Sequence, residues 1–189
     1  MTYLFIIVIV VIVIVLFVLY SSYNRLVSLN QQAQEAWSDI TVQLKRRHDL
    51  IPNIVNAVKG YAAHEKTVFE DVTNARTKAM SASTPADTSK SENQIQSTLK
   101  SLFAVAENYP DLKASQNFLQ LQAELVDTED KIQASRRFYN SIARDFNTRR
   151  KIFPTNIFAN RLGFKTDKEF FELDETEQAQ DDQPVNVQF

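Results

Sequence analysis

The sequence has no cysteine, two glycines and two histidines. Without cysteine there is no disulfide framework, no thiolate nucleophile and no thiolate metal site. Gly60, Gly163 and five prolines supply too few tight turns for a β-rich fold. The two histidines do not form the Glu-x-x-His pairs of a di-metal bundle: Lys45 stands three residues before His48, and Tyr61 three before His64. His64 and Glu65 are neighbours, so on a helix their side chains leave on different faces. There is no Gly-x-Ser-x-Gly elbow and no glycine-rich phosphate loop. Paired carboxylates such as Glu129-Asp130 read as solvated helix charges. No catalytic residue, cofactor or metal is therefore expected, and the chain reads as a non-enzyme.

Charge is also missing from the first part of the chain. Tyr3 to Tyr20, YLFIIVIVVIVIVLFVLY, carries no charge, glycine or proline, and its only polar atoms are the two tyrosine hydroxyls. About 18 residues at 1.5 Å each nearly cross a hydrocarbon core that needs about 20. A tyrosine stands at each end, where amphipathic rings prefer the headgroups. In lipid every backbone N–H and C=O must be satisfied within the segment, so a lone apolar span becomes a helix. A buried core helix would rarely be apolar all round. A cleaved signal peptide would need a basic leader and a small-residue cleavage site, and Met1-Thr2 and Tyr20-Ser21-Ser22-Tyr23 offer neither. Residues 3–20 are thus expected to bind the bilayer as an uncleaved single-pass anchor. Arg25 is the nearest basic side chain, followed by Lys45-Arg46-Arg47. The positive-inside rule then puts the body in the cytoplasm and the N-terminus outside the inner membrane.

What remains is long enough for one domain with a real core. Arg25 to Phe164 holds 19 Lys/Arg and 15 Asp/Glu, while Lys165 to Phe189 holds 2 and 8. The mild basic excess of the body is weak as a membrane signal, and an ordinary solvated surface explains it better.

Helical periodicity begins at once after the anchor. Leu26, Leu29, Ala33, Ala36, Ile40 and Leu44 step by three and four. Ser21-Ser22 is the one soft point between span and body. Pro52 predicts a kink or break, with Asp49 as a cap for the next helix. That second helix is expected from about Ile54 to Met80, with Gly60 tolerated inside it at about 1 kcal/mol. Ser81 to Glu92, SASTPADTSKSE, reads as an exposed loop. A third helix carries Ile95, Leu99, Leu102 and Ala106. Pro110 suits the first turn of a long fourth helix that runs to Phe153 and is closed by Pro154. Gly163 reads as a left-handed stop, and Phe170-Phe171 as a last hydrophobic clip. The expected fold is all-α: an N-terminal transmembrane helix, then an antiparallel bundle or coiled-coil rod of about four long helices. By domains, 1–22 is the anchor, 23–173 the bundle and 174–189 an acidic tail expected to be disordered.

Four stretches carry a resemblance. AWSDITVQLKRRHDLIPNIVNAVKGYAAHE spans Ala36 to Glu65, Tyr23-Asn24-Arg25-Leu26-Val27 follows the anchor, and Asn108-Tyr109-Pro110-Asp111-Leu112-Lys113-Ala114 precedes the last long helix. The fourth is ARDFNTRRKIFPTNIFANRLGF, Ala143 to Phe164. Together they closely resemble the LemA family of bacterial membrane proteins, from the anchor to about Glu172. The resemblance implies an N-terminal anchor with a cytoplasmic helical bundle, and no established enzymatic activity. Relatives are linked to membrane-associated processes, magnetosome membranes included, and some occur beside membrane metalloproteases.

The candidate interaction residues are charges on apolar stripes. Glu65, Glu129 and Arg136 fall where the periodicity places the core or its edge. Burying one such charge alone costs several kcal/mol, so opposite charges are expected beside them. Arg46, Arg47 or Arg136 would then pair with Glu65, Glu124 or Glu129 across helices and fix register. The competing reading keeps these groups at the stripe margins, snorkelling to water. Trp37, Tyr61, Phe69, Phe103, Phe118, Tyr139 and Phe146 read as core. No nucleic-acid-binding module accompanies Lys45-Arg46-Arg47, so nucleic acid is not expected as a partner. The expected function is a membrane-anchored helical scaffold that forms homo-oligomers. The alternative, from the family association alone, is an adaptor or regulator of a membrane protease or another quality-control machine.

Overall fold

A computed structural model describes residues 1–172, and among these every regular element is helical. Four longer helices occur: α1 (Thr2–Lys59), α2 (Lys66–Met80), α3 (Pro85–Ala106) and α5 (Gln116–Lys151). Two single-turn helices, α4 (Pro110–Lys113) and α6 (Thr155–Phe158), complete the order. The acidic tail lies outside the described residues.

The chain forms two compact units, and α1 and α5 each supply residues to both. The first takes Met1–Asp39 and Arg137–Glu169; the second takes Ile40–Arg136 and, among the described residues, Phe170–Glu172.

In the first unit the apolar stretch is helical and long enough to cross a membrane. None of it is buried inside the rest of the chain. The helix passes through Ser21-Ser22 without a break. Leu26 and Leu29 then start a small core with Phe146, Ala159 and the half-buried Phe164. The Phe146 and Phe164 rings meet edge to face at 5.8 Å, and Trp37 tilts against Tyr139 at 5.4 Å, both within the range of aromatic pairing. Residues 165–169 run back along α5, held largely by their backbone. The Tyr139 hydroxyl donates to the Glu169 carbonyl at 2.9 Å. The Asn147 amide donates to the Lys168 carbonyl at 2.9 Å and accepts from the Lys168 N–H at 2.7 Å. Arg150 binds the Asp167 carboxylate and donates to the Lys165 carbonyl at 3.2 Å. Gly163, with φ at 95°, makes the left-handed turn that begins this return.

The second unit has the larger core. Ile51, Ile54 and Val58 of α1 pack with Phe69 and Val72 of α2, Ile95, Leu99 and Leu102 of α3, Leu112 of α4, and Phe118 and Leu125 of α5.

The helix boundaries correct four expectations. The second helix does not begin after Pro52: α1 continues through that proline to Lys59, so Asp49 caps nothing. Gly60 is not inside a helix but at the turn that ends α1, where the Gly60 N–H bonds to the Asn56 carbonyl at 3.2 Å. The loop expected over 81–92 shrinks to four residues, because α3 starts at Pro85. Thr84 caps it, its hydroxyl accepting from the Asp87 N–H at 3.1 Å, with Pro85 in the first turn. Pro110 opens only the single turn α4, and the long helix begins afresh at Gln116.

Candidate functional site: a buried charge cluster

A proline inside a helix has no N–H to give the carbonyl four residues earlier. For Pro52 that carbonyl belongs to His48, which is buried. An orphaned buried carbonyl is costly. Arg76 of α2 supplies the missing donor, its Nε reaching the His48 oxygen at 2.7 Å. This bond explains how α1 passes Pro52, and it ties α2 to α1 at the same point.

The residue before His48 is the centre of the site. Arg47 is 3% exposed. One terminal nitrogen donates to both Glu129 oxygens, at 2.7 and 2.8 Å, and the other to Oε2 of Glu92. Glu92, on α3, is 4% exposed, and its Oε1 lies 2.7 Å from Nε2 of His48. An ionised Glu92 only accepts, so this contact requires a proton on Nε2 of His48. Three helices, α1, α3 and α5, thus meet through one guanidinium, and Arg76 brings in the fourth.

Electrostatics are balanced locally. Burial works against the Arg47 cation, but the carboxylates of Glu92 and Glu129 outweigh it and hold its pKa above the ordinary value. Burial likewise opposes ionisation of Glu92, yet the His48 hydrogen bond and the Arg47 charge hold its carboxyl below the usual range. A recess of about 100 Å³ opens beside the cluster, against Arg136 and Phe171. That is well below the ~300–1,000 Å³ of small-molecule pockets. Among the described residues no group of three or more His, Cys, Asp or Glu is placed to hold a metal ion.

The candidate residues separate cleanly. Arg47 and Glu129 meet in the cluster. Arg46 turns the other way and pairs with Asp127 at 3.2 Å on the exposed surface. The basic triplet is therefore not one patch, since its third member points inward. Arg136 donates to the Glu172 carbonyl at 2.6 Å and stacks its guanidinium 4.5 Å over the buried ring of Phe171. Phe170 is half-buried beside it in sequence, so the expected clip is made chiefly by Phe171. Two of the expected acidic partners are displaced from that role: among the described residues no ion pair involves Glu65 or Glu124. Glu65 sits half-buried at the N-cap of α2, and Glu124 accepts from Gln120 at 3.2 Å. Sequence periodicity misses Glu92, His48 and Arg76. Glu92 is hidden in a serine-rich stretch whose Thr-Pro-Ala-Asp start is itself a helix-cap signature. Arg76 answers a need that Pro52 creates.

A sequence profile of the LemA family matches residues 36–189, which include every member of the cluster. This chain belongs to the LemA family. It is 32% identical to Protein LemA of Metamycoplasma hominis, over 74% of this chain and 64% of that protein. It is 25% identical to magnetosome protein MamQ 2 of Paramagnetospirillum magneticum, over 79% of this chain and 65% of that protein. Magnetosome protein MamQ of Magnetospirillum gryphiswaldense is 24% identical over the same shares. The chain thus spans just under two thirds of the length of these relatives. With its unpacked apolar helix, this LemA-family chain is a membrane-associated helical protein.

Proposed function

We propose that this chain is a non-enzymatic, single-pass membrane scaffold whose helical body self-associates or docks a partner. The observation that carries the reading is the continuity of α1. The same helix supplies an 18-residue apolar stretch, none of it buried, and the Leu26–Leu29 core of the first unit. A span that runs unbroken into a packed helix transmits orientation as well as attachment. The charge cluster supports a structural part in this. Arg47, His48 and Glu92 are buried, the carboxylates are committed to Arg47 and His48, and the recess beside them is small. Buried ionic groups of this kind are best attested as devices that fix register between long helices. Exposed Leu119 and Val126, seven apart on α5, offer a helical face for a second copy. The N-terminus lies outside the inner membrane and the body in the cytoplasm, following the basic residues after the span.

The mass of the detergent-extracted full chain tests the scaffold. Oligomers that persist on dilution are expected, and a strict monomer at high concentration overturns self-association. Cross-linking in cells then identifies what the body touches. A membrane protease as the dominant product would replace the scaffold with an adaptor. For orientation, Ser81→Cys gives the chain a single exposed thiol, which an impermeant reagent should reach only after the cells are opened.

A further inference from the structure

We propose that the corner following α5, residues 152–162, inserts into the headgroup layer of the membrane from which α1 emerges, and that its ligand is an anionic phospholipid leaflet. This rests on the anchor reading of residues 3–20.

Place comes first. Ala159 and Phe164 pack on Leu26 and Leu29, and the Tyr23 ring lies 6.3 Å from that of Phe164. Leu26 is six residues beyond Tyr20, about 9 Å along the helix. The polar layer of a bilayer extends about 5–8 Å beyond its hydrocarbon on each side, and interfacial segments bury their apolar faces about 5–10 Å into it. The corner therefore sits at the height where α1 leaves the hydrocarbon.

The corner's surface is wrong for water. Phe153 is 76% exposed and Ile157 67%, with Ile152 and Leu162 exposed beside them. Single exposed apolar side chains are ordinary. Four within eleven residues, on a corner whose Ala159 and Phe164 pack on α1 just beyond its apolar stretch, are a concentration of the kind that marks an interaction surface. Thr155 and Ala159 of the same turn are buried, so the large side chains are on the outside by construction.

Charge names the occupant. Between Asp145 and Asp167 there is no carboxylate, while Arg149, Arg150, Lys151, Arg161 and Lys165 all fall in that stretch. Arg150 and Lys151 pair with Asp167, which also pins the corner to α5. Arg161 and Lys165 stay exposed, as does Arg25 on α1. Bulky apolar tips among exposed cations are the pattern of a segment lying in an anionic interface.

The absence of native cysteine makes the test direct. Spin labels are placed on Phe153→Cys, Ile157→Cys, Ile12→Cys and Val126→Cys in the full-length chain. Each is reconstituted into nanodiscs of phosphatidylcholine alone or in an equal mixture with phosphatidylglycerol. Accessibility to oxygen, to an aqueous nickel reagent and to lipid-borne quenchers is then read. Labels at 153 and 157 should be shielded from nickel and reached by the lipid quencher, more so in the anionic discs. Arg161→Gln with Lys165→Gln should lower the inserted-to-aqueous ratio there about fivefold for each charge removed. A label at 12 in the hydrocarbon with labels at 153 and 157 as wet as that at 126 overturns this proposal and leaves the anchor standing. A label at 12 in water overturns both. Shielding from nickel and lipid alike overturns the proposal in favour of a protein partner, and equal insertion in the two lipids overturns the anionic assignment.

Discussion

Arg47 and Arg150 both stand on long helices and both grip carboxylates, but they do so in unlike surroundings. Arg47 is sealed in the second unit between Glu92 and Glu129. Arg150 lies at the edge of the first unit, where it holds Asp167 and a backbone carbonyl. The second unit has a broad apolar core and sets one buried charge cluster within it. The first has a small core and gains its order from aromatic contacts and from side chains that grasp the backbone of residues 165–169. A buried ion pair contributes little over a well-packed apolar group, yet breaking one partner leaves an uncompensated charge. Backbone clasps are modest singly and fail one at a time. The second unit should therefore fail abruptly at one residue, and the first by degrees.

The sharpest break is Arg47→Ala. It strands Glu92 in the core with only His48 beside it, and the expected loss is about 3–5 kcal/mol. Chemical denaturation of the full chain in detergent measures it. Hydrogen exchange should show α3 amides opening first, with those of residues 139–150 little changed. The double variant Arg47→Met, Glu92→Leu should recover much of the loss, because it removes the buried pair together and leaves only Glu129, which is partly exposed to water. If Arg47→Ala alone costs no more than an average surface change, the cluster is not what fixes the second unit.

Next in size is Arg76→Ala, which leaves the His48 carbonyl without its donor. A hydrogen bond from a charged group to a buried carbonyl contributes about 1.5–3 kcal/mol. The Pro52→Ala background separates this bond from general packing. There the helix regains its own N–H, so Arg76→Ala should cost visibly less. Equal costs in both backgrounds would mean that Arg76 acts through something other than the proline gap.

That bond also shows where reading the sequence succeeds and where it stops. The anchor, the stripe from Leu26 to Leu44 and the long α5 repeat are local patterns, and local periodicity reports them. Arg47 and Glu129 are legible because a charge on an apolar stripe demands a partner. Pro52 declares only what it forbids locally, whereas its rescue comes from Arg76, 28 residues beyond the His48 carbonyl it serves. Gly60 passes for a tolerated helix residue, although it stands at the turn that ends α1. Glu92 escapes because serine-rich composition outweighs the cap signature at Thr84 and Pro85. Composition describes an average, whereas burial is decided by which face meets a neighbour. Ser89, Ser91 and Glu92 are buried despite their chemistry.

The acid limb of stability should separate the units in another way. The carboxyl of Glu92 is held below its ordinary value, about 4.5, by the His48 hydrogen bond and the Arg47 charge acting against burial. A depressed folded pKa means that the unfolded chain takes up the proton first as pH falls. The contribution is therefore complete above about pH 4.5 and is lost as pH drops through the lower folded value. Glu92→Gln should be less stable at neutral pH and flatter with pH below that point. A limb of unchanged steepness in the variant would assign the acid sensitivity to other carboxylates.

In the first unit the matching test is Asn147→Ala, which removes two neutral bonds to the Lys168 backbone. About 1–2 kcal/mol is expected, and exchange should rise at residues 165–169 while α3 stays protected. A collapse on the scale of Arg47→Ala would erase the contrast between the units.

The smallest effect belongs to Arg46→Ala. Arg46 neighbours Arg47 in sequence and also pairs with an acid of α5, so contact inspection alone would rank the two together. Both Arg46 and Asp127 are nearly half exposed, however, and Asp127 has a second cation in Lys131 at 2.8 Å. Water and salt screen such pairs, and holding two long side chains in one geometry costs entropy. The Asp127 carboxyl is held below its usual range chiefly by the Lys131 bond, which Arg46→Ala leaves intact. Stability should stay within measurement scatter, and salt should leave the difference from the parent chain near zero. A loss approaching that of Arg47→Ala would mean that position on α1, rather than burial of the charge, sets what each arginine contributes.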